Sequence, residues 1–479
     1  MIFNSLSFAI FLPVVFLLYW FVFNKSLKIQ NFFLIICSYF FYGYWDWRFV
    51  FLLAFSTILD FFSGLQIAKA STKIKKKFWL ILSIGINLGF LGFFKYYNFF
   101  IESFAELLTN IGFTPNYYTL RIILPVGISF YTFHGLSYVF DIYNGRIKPT
   151  HNWNNYALFV SFFPLLVAGP IERATHLLPQ VEKERTFDYS KAVDGFRQIL
   201  WGLFKKIVVA DSCAQLANIA FANPTQYQGS TLALSVIMFA IQIYGDFSGY
   251  SDIALGTARL LGFELLQNFH FPYFSRDIAE FWRRWHISLT TWFRDYLYIP
   301  LGGSRVSKVK VVRNTFIIFL VSGFWHGANW TFIAWGTFHA VLFLPLILLE
   351  KNRKYTNIVA EGKILPSIKE LFQMLVTFLL VVVGWVFFRV NSIEQAFVYL
   401  GRMIQWDTLK VSYSIFMHKE FWLALVMLIV EWFGRNDRFG LEKLGIKWNP
   451  ILRYTMYYAI LLLIFLFMGK KQIFIYFQF

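Results

Sequence analysis

Charge, cysteine and extended polar sequence are what this chain lacks. Only 15% of its 479 residues are charged, against about a quarter in soluble domains, so there is too little polar surface to solvate a compact aqueous fold. Its two cysteines, Cys37 and Cys213, are too few for a disulfide framework or a thiolate metal cage, and their apolar neighbours mark them as packing residues. No fixed-period repeat, low-complexity tract or long disordered linker is present, and no segment is long and polar enough for a separate water-soluble domain. Also missing are a G-x-S-x-G elbow, a phosphate-binding P-loop, an H-E-x-x-H pair and a glycine-rich dinucleotide fingerprint. A covalent serine mechanism, a nucleotide motor and a zinc hydrolase therefore lose support, and no metal site is expected.

What the chain has is apolar and aromatic mass: 58% hydrophobic residues and 22% aromatics, with 61 Phe, 26 Tyr and 17 Trp. Lipid is the solvent that suits this composition. The net charge of +18 would suggest nucleic acid if it were spread over one face. Instead the basic residues cluster in short loops, Lys69 with Lys73 to Lys77, Arg305 to Arg313 and Lys351 to Lys354, each between long apolar runs. That is the positive-inside pattern of cytoplasmic membrane loops, and no nucleic-acid partner is expected.

A crossing helix needs about 20 apolar residues. About eleven candidate crossings lie near 2–23, 30–45, 49–68, 78–97, 119–140, 155–170, 196–221, 230–250, 315–349, 371–389 and 419–433, with a further one at 454–468. The expected fold is an all-α, polytopic integral membrane protein with re-entrant and interfacial helices, forming one domain over 1–479. Ile2 to Phe23 carries no charge, no basic leader and no small-residue cleavage site, so it reads as a retained spanning helix. Lys25 and Lys28 follow it, which puts the N-terminus outside; two further crossings return Lys73 to Lys77 to the same cytoplasmic side. The mixed-charge stretch Glu172 to Arg197 is expected to form cytoplasmic helices or loops.

Three segments carry polar chemistry. Over 276–297, Ile278, Trp282, Trp285, Leu289, Trp292 and Tyr296 share one narrow sector at 100° per residue, opposite Arg276, Glu280, Arg283, Arg284, Arg294 and Asp295. One amphipathic helix lying in the membrane interface is expected. His286 projects at the edge of the apolar sector. It is either an interfacial histidine completing the polar border or a polar group at a cytoplasmic entrance, where the surrounding cations, Arg283, Arg284 and Arg294, suit donor phosphates.

The second segment, Thr315 to Leu349, has 35 residues without Lys, Arg, Asp or Glu. One straight helix of that length would reach about 50 Å against about 30 Å of hydrocarbon, so it must break, and Gly323, Gly327, Asn329 and Gly336 supply the means. His326 and His339 lie within it. An ionisable group at such depth usually faces a cavity or partner, and a neutral imidazole beside water is a fitting general base; the alternative is a hydrogen-bonded structural histidine, the preferred reading for His339. The third segment is Tyr244 to Asp252, where helix capping by Ser248, Ser251 and Asp252 with close glycine packing is preferred over direct catalysis.

These residues resemble a known family. Ala168-Gly169-Pro170-Ile171-Glu172-Arg173, the stretch Asp246 to Phe263, Glu280 to Leu289, Trp292 to Gly303, and Phe324-Trp325-His326-Gly327 form an ordered set similar to that of the membrane-bound O-acyltransferases, bacterial alginate O-acetyltransferase type. The resemblance implies a motif core of about 124–340 around a central tunnel, with His326 as the family's essential histidine and His286, 40 residues earlier, as its second polar position. It implies acetyl-CoA as cytoplasmic donor, with Arg283, Arg284, Trp285 and Arg294 on the donor side and no permanently bound cofactor. An SGNH-type or other extracytoplasmic partner would complete transfer to a polysaccharide, and a bacterial inner-membrane location follows. His134 stands where many relatives carry glutamine and receives no role. The rival within the family is D-alanyl transfer to teichoic acid; outside it, a polysaccharide transporter has the same many crossings.

Overall fold

The computed structural model describes residues 1–167, 169–405, 418–469, 472, 474 and 475, and every regular element among them is helical. Ala168 of the motif beginning there lies outside the described residues. The chain forms two compact units, Met1–Asp188 with Ala258–Leu265, and Tyr189–Thr257 with Leu266–Phe479.

The first unit contains α1 (Leu6–Leu17), α2 (Leu27–Gly43), α3 (Arg48–Lys69), α4 (Lys73–Leu91), α5 (Tyr97–Asn110), α6 (Ile128–Tyr143), α7 (Trp153–Ser161), α8 (Phe163–Leu166) and α9 (Ala174–Val181). Side chains just ahead of the helices start them: Ser5, Ser26 and Thr72 accept from the main-chain N–H groups of Phe8, Ile29 and Lys75, satisfying donors the first helical turn leaves over. Between α3 and α4 the buried Asp60 carboxylate accepts from Ser83 Oγ at 2.7 Å and Asn87 Nδ2 at 2.8 Å. A polar cluster of this kind ties helices together where lipid offers no hydrophobic drive to associate.

Two expected crossings in this unit take another form. Residues 114–125 have no regular structure and α6 begins only at Ile128, after Pro125 and a left-handed Gly127 (φ 77°) whose added Cβ would sit 2.0 Å from Leu166 O. The segment 155–170 is not one helix but α7, of nine residues, and α8, of four. The break falls at Phe162, whose ψ of 112° leaves the helical range, and Pro164 sits in the first turn of α8, where its missing N–H costs nothing. Of the mixed-charge stretch, Glu172 is fully buried, with Oε2 2.8 Å from His176 Nδ1.

The second unit contains α10 (Tyr189–Leu203), α11 (Asp211–Ala222), α12 (Gly229–Leu260, whose last turn belongs to the first unit), α13 (Ile278–Arg284), α14 (Ile287–Phe293), α15 (Lys308–His326), α16 (Trp330–Leu348), α17 (Ile368–Arg389), α18 (Ile393–Met403), α19 (Lys419–Phe433) and α20 (Pro450–Phe467). The long uncharged run breaks as expected, at Gly327 to Asn329, with Asn329 capping α16 through Thr331 N. Gly323 and Gly336, however, lie inside the two helices and let them touch. A Cβ on Gly323 would meet Phe332 O at 2.3 Å, and one on Gly336 would meet Phe319 O at 2.3 Å.

Among the described residues, six helical stretches are long and apolar enough to cross a membrane: Arg48–Lys69, Lys73–Asn110, Gly229–Leu260, Trp330–Leu348, Ile368–Arg389 and Pro450–Phe467. Their outward surfaces carry bare apolar side chains, such as Ile368 at 89% and Phe465 at 74% exposure, a surface that only lipid can solvate at this density. α12 is the exception, since 83% of its apolar window is buried inside the protein. Cys37 and Cys213 are both buried, the setting of packing residues.

Candidate active site

The site is built from the one place where the amphipathic segment 276–297 departs from a helix. It is not continuous: α13 ends at Arg284, and His286 adopts a left-handed conformation (φ 43°, ψ 54°) before α14 starts. Its charged side is only partly open to solvent: Arg283 and Arg294 are exposed, but the inner part of that side is not. Trp282, Trp285, Glu280 and Arg276 are all buried. A non-glycine residue held left-handed costs about 1–3 kcal/mol and persists only where its surroundings fix it.

Around His286 those surroundings are specific. The imidazole is 1% exposed and packs edge-on against Phe247 of α12, with ring centres 4.7 Å apart, and against Trp325 of α15 at 5.9 Å. Its Nδ1 lies 2.9 Å from Asn268 Oδ1, which also accepts from Ser288 Oγ at 2.8 Å. Burial holds this imidazole down to about 3, in its neutral form. His326, the last residue of α15, is also buried, among Trp325 at 4.9 Å, Trp335 at 5.1 Å and Phe388 at 5.3 Å. The two histidines, 40 residues apart in sequence, thus pack against one indole, that of Trp325.

His339 has a different setting. It is fully buried inside Phe281, Trp282, Phe319, Trp335 and Phe338, and neither ring nitrogen has a hydrogen-bond partner among the described residues. Gly384 is required beside it, since a Cβ there would meet His339 Nε2 at 2.8 Å.

The residues expected at the donor side do not form one open basic surface. Trp285 is 1% exposed and stacks within the aromatic core, on Phe281 and Trp385. Arg283 donates to the carbonyls of Asn352 (2.8 Å) and Tyr355 (2.5 Å), and Arg284 to Glu280 (2.8 Å) and Asn357 O (3.2 Å). With Arg276, which donates to Asn357 O at 2.8 Å, they fasten the 352–357 loop onto α13. Arg294 is exposed and paired with its neighbour Asp295 at 2.7 Å.

Sequence reasoning missed a buried ionic network. The segment Tyr244 to Asp252 lies in the middle of α12, so Ser248, Ser251 and Asp252 cap nothing; the close glycine packing is present, with a Cβ on Gly249 placed 2.7 Å from Gly202 O. Lys205 Nζ pairs with Asp252 at 2.7 Å and Glu431 at 3.6 Å and donates to Ser248 Oγ at 2.9 Å. Tyr244 Oη donates to Glu431 at 2.7 Å. Lys206 pairs with Asp211 at 2.8 Å and Asp246 at 2.6 Å. The signal was available: Lys205, Lys206 and Asp211 interrupt the apolar run 196–221, and Glu431 the run 419–433. Such charges need buried partners. A small polar cavity lies against this network, lined by Lys205, Ser248, Ser251, Asp252, Asn268 and Glu431 among others.

Comparison with known proteins now adds to this geometry. The family model described as MBOAT, membrane-bound O-acyltransferase family, matches residues 146–384, which include Asn268, His286 and His326. The chain is 40% identical over 416 residues to "Probable alginate O-acetylase AlgI" of Pseudomonas aeruginosa, covering 86% of this chain and 76% of that protein. It is 32% identical over an alignment of 528 residues to a peptidoglycan O-acetyltransferase of Helicobacter pylori, covering 100% and 98%. A teichoic acid D-alanyltransferase of Bacillus subtilis is more distant, at 28% identity over 289 residues, 57% of this chain and 71% of that protein.

Proposed function

Because the chain belongs to the membrane-bound O-acyltransferase family and is an acyltransferase, we propose that it moves an acetyl group from cytoplasmic acetyl-CoA to an extracytoplasmic acceptor, for O-acetylation of a cell-envelope or secreted polysaccharide. The observation that carries this reading is the pair of buried histidines sharing Trp325. In this mechanism the acceptor hydroxyl attacks the thioester carbonyl while His326 removes its proton. The thiolate of the donor leaves and takes up a proton, so no ATP is consumed. Positioned proton transfer contributes about 10² to 10⁴ in rate, and the aromatic walls of Trp325, Trp335 and Phe388 keep out bulk water that would hydrolyse the thioester. His286 serves the donor side; Arg294 is the cation open to the donor phosphates, and Arg283, Arg284 and Trp285 shape the entrance through the 352–357 loop and the core beneath it.

The remaining parts of the reading follow from the same chemistry. The whole chain acts as one catalytic domain, with about eleven crossings once shorter and bent helices are included, around a tunnel. It resides in the bacterial inner membrane with its N-terminus outside, since Lys25, Lys28 and Lys73 to Lys77 fall on one side. An SGNH-type protein or another acceptor hands the acetyl group on. Alginate, peptidoglycan and other exopolysaccharides each present suitable hydroxyls. The test is His326→Ala in cells, with mass spectrometry of envelope polysaccharides: acetylation disappears while the protein remains inserted at normal abundance. Full acetylation in that variant would refute His326 as the base.

A further inference from the structure

Asn268 lies in the loop after α12, carries no charge and belongs to none of the motif stretches that point to acyl transfer. It is nevertheless 1% exposed and fully engaged. Its main-chain carbonyl accepts from Ile287 N at 2.9 Å, and two residues on, His270 N donates to Arg284 O at 3.0 Å. These two bonds run the segment 268–270 alongside 284–287 and clamp the left-handed turn at His286. Its side chain reaches the same turn a second time. Oδ1 stands 2.9 Å from His286 Nδ1 and accepts from Ser288 Oγ at 2.8 Å, while Nδ2 donates to Ser251 Oγ at 3.1 Å on α12.

We propose that Asn268 is a positioning residue for acyl transfer, holding His286 as the Nδ1–H tautomer and thereby making Nε2 the nitrogen that accepts. The inference rests on the reading of His286 as part of the transfer site. Its physical basis is the inventory of the amide. The nitrogen faces Ser251, so the oxygen faces the imidazole, and an amide oxygen can only accept. The proton between them therefore belongs to the ring, on Nδ1, and the lone pair is left on Nε2; in histidine chemistry the partner of one ring nitrogen sets the role of the other. The strained backbone conformation turns the ring to meet that partner, and the second hydrogen bond from Ser288 keeps the amide from rotating away.

Burial favours the neutral form of His286. The titratable groups on the helices packed against it include Asp246 and Asp252 of α12, paired with Lys206 and Lys205, Tyr244 and Tyr250 of the same helix, and His326 of α15 beyond Trp325. Replacing the neutral amide by a carboxylate changes the charge at this contact with almost no change in shape. Asn268→Asp keeps an acceptor facing Nδ1 but adds an anion in contact, which raises the imidazole pKa by about 1–3 units. Asn268→Leu removes the acceptor and leaves the imidazole without the partner that fixes its tautomer.

The experiment uses the full chain in lipid nanodiscs with ¹⁵N-labelled histidine, the His286 signals being identified by their disappearance in His286→Gln. The wild type and Asn268→Asp should both show a protonated Nδ1 and an unprotonated Nε2, with a higher protonation midpoint in Asn268→Asp. Asn268→Leu should lose the Nδ1–H preference, and polysaccharide acetylation in cells should fall in Asn268→Leu and in His286→Ala. Nε2–H in the wild type, or an unchanged midpoint in Asn268→Asp, overturns the assignment even where Asn268→Leu fails to fold. Undiminished acetylation in His286→Ala would instead defeat the underlying reading of His286. Loss in His286→Ala beside full activity in Asn268→Leu would defeat this proposal alone.

Discussion

Replacing Gly336 by alanine adds a single methyl group, yet it tests whether the α15–α16 hairpin sets the position of His326, the proposed base. The new Cβ would lie 2.3 Å from Phe319 O and 3.0 Å from Phe319 C. Both are main-chain atoms, so no side chain can swing aside. Ordinary contact begins near 3.4 Å, so the two helices must separate by roughly 1 Å, at a cost of about 1–3 kcal/mol for overpacking. His326 terminates α15 seven residues beyond Phe319 and packs on Trp335, the neighbour of Gly336, so the imidazole shifts with the helix. A misplacement of about 1 Å at a reacting group costs about 10²-fold in rate. The expected result is a lowered melting temperature for the detergent-solubilised protein and loss of most polysaccharide acetylation at normal membrane abundance. Gly401→Ala, on α18 with nothing within 4 Å of the added carbon, is the control and should be neutral or stabilising, as helix propensity alone dictates. Unchanged melting and full acetylation in Gly336→Ala would refute the claim that this glycine holds the hairpin closed.

Other perturbations probe separate parts of the molecule. Lys206→Met leaves Asp211 and Asp246 buried without their shared cation; removing one member of such a group costs about 3–5 kcal/mol, and thermal unfolding should show it, whereas Lys443→Met, at a surface pair, should change little. Trp325→Ala removes the ring that both histidines pack against and should destabilise by about 3–5 kcal/mol, while Trp325→Phe should retain a measurable share of acetylation; equal activity in both variants would argue against the shared indole. His176 has its pKa raised above 6.5, chiefly by its hydrogen bond to Glu172. A raised folded value means the stabilisation is fully present below the unfolded pKa and fades as pH rises through the folded one. The melting temperatures of wild type and His176→Gln should therefore differ most below about pH 6.5 and converge in alkali; a gap that widens with pH would contradict the sign.

The membrane class and the helical fold were legible in sequence because each depends on local composition. A charge-free run of 35 residues cannot be one crossing helix, and Gly327-Ala328-Asn329 is where it breaks. Trp282 and Trp285 were legible only as an apolar stripe. Periodicity detects that a face is buried but not what covers it, and here both the stripe and the opposing Glu280 and Arg276 are buried. Gly323 and Gly336 show the same ambiguity, since a glycine that breaks a helix and one that admits a neighbouring helix look alike in one dimension.

By itself the amino-acid order determined that lipid must solvate this chain, that it is helical, and that the uncharged run holding His326 and His339 must break. The tertiary structure alone decided that the two rings meet at Trp325, that Arg283 and Arg284 hold a loop, and that Asn268 faces His286 Nδ1. The reason is the range of the forces. Hydropathy and helix periodicity act between residues a few positions apart, whereas a buried hydrogen bond or ion pair joins whichever groups packing brings within about 3 Å, and sequence distance carries no record of that.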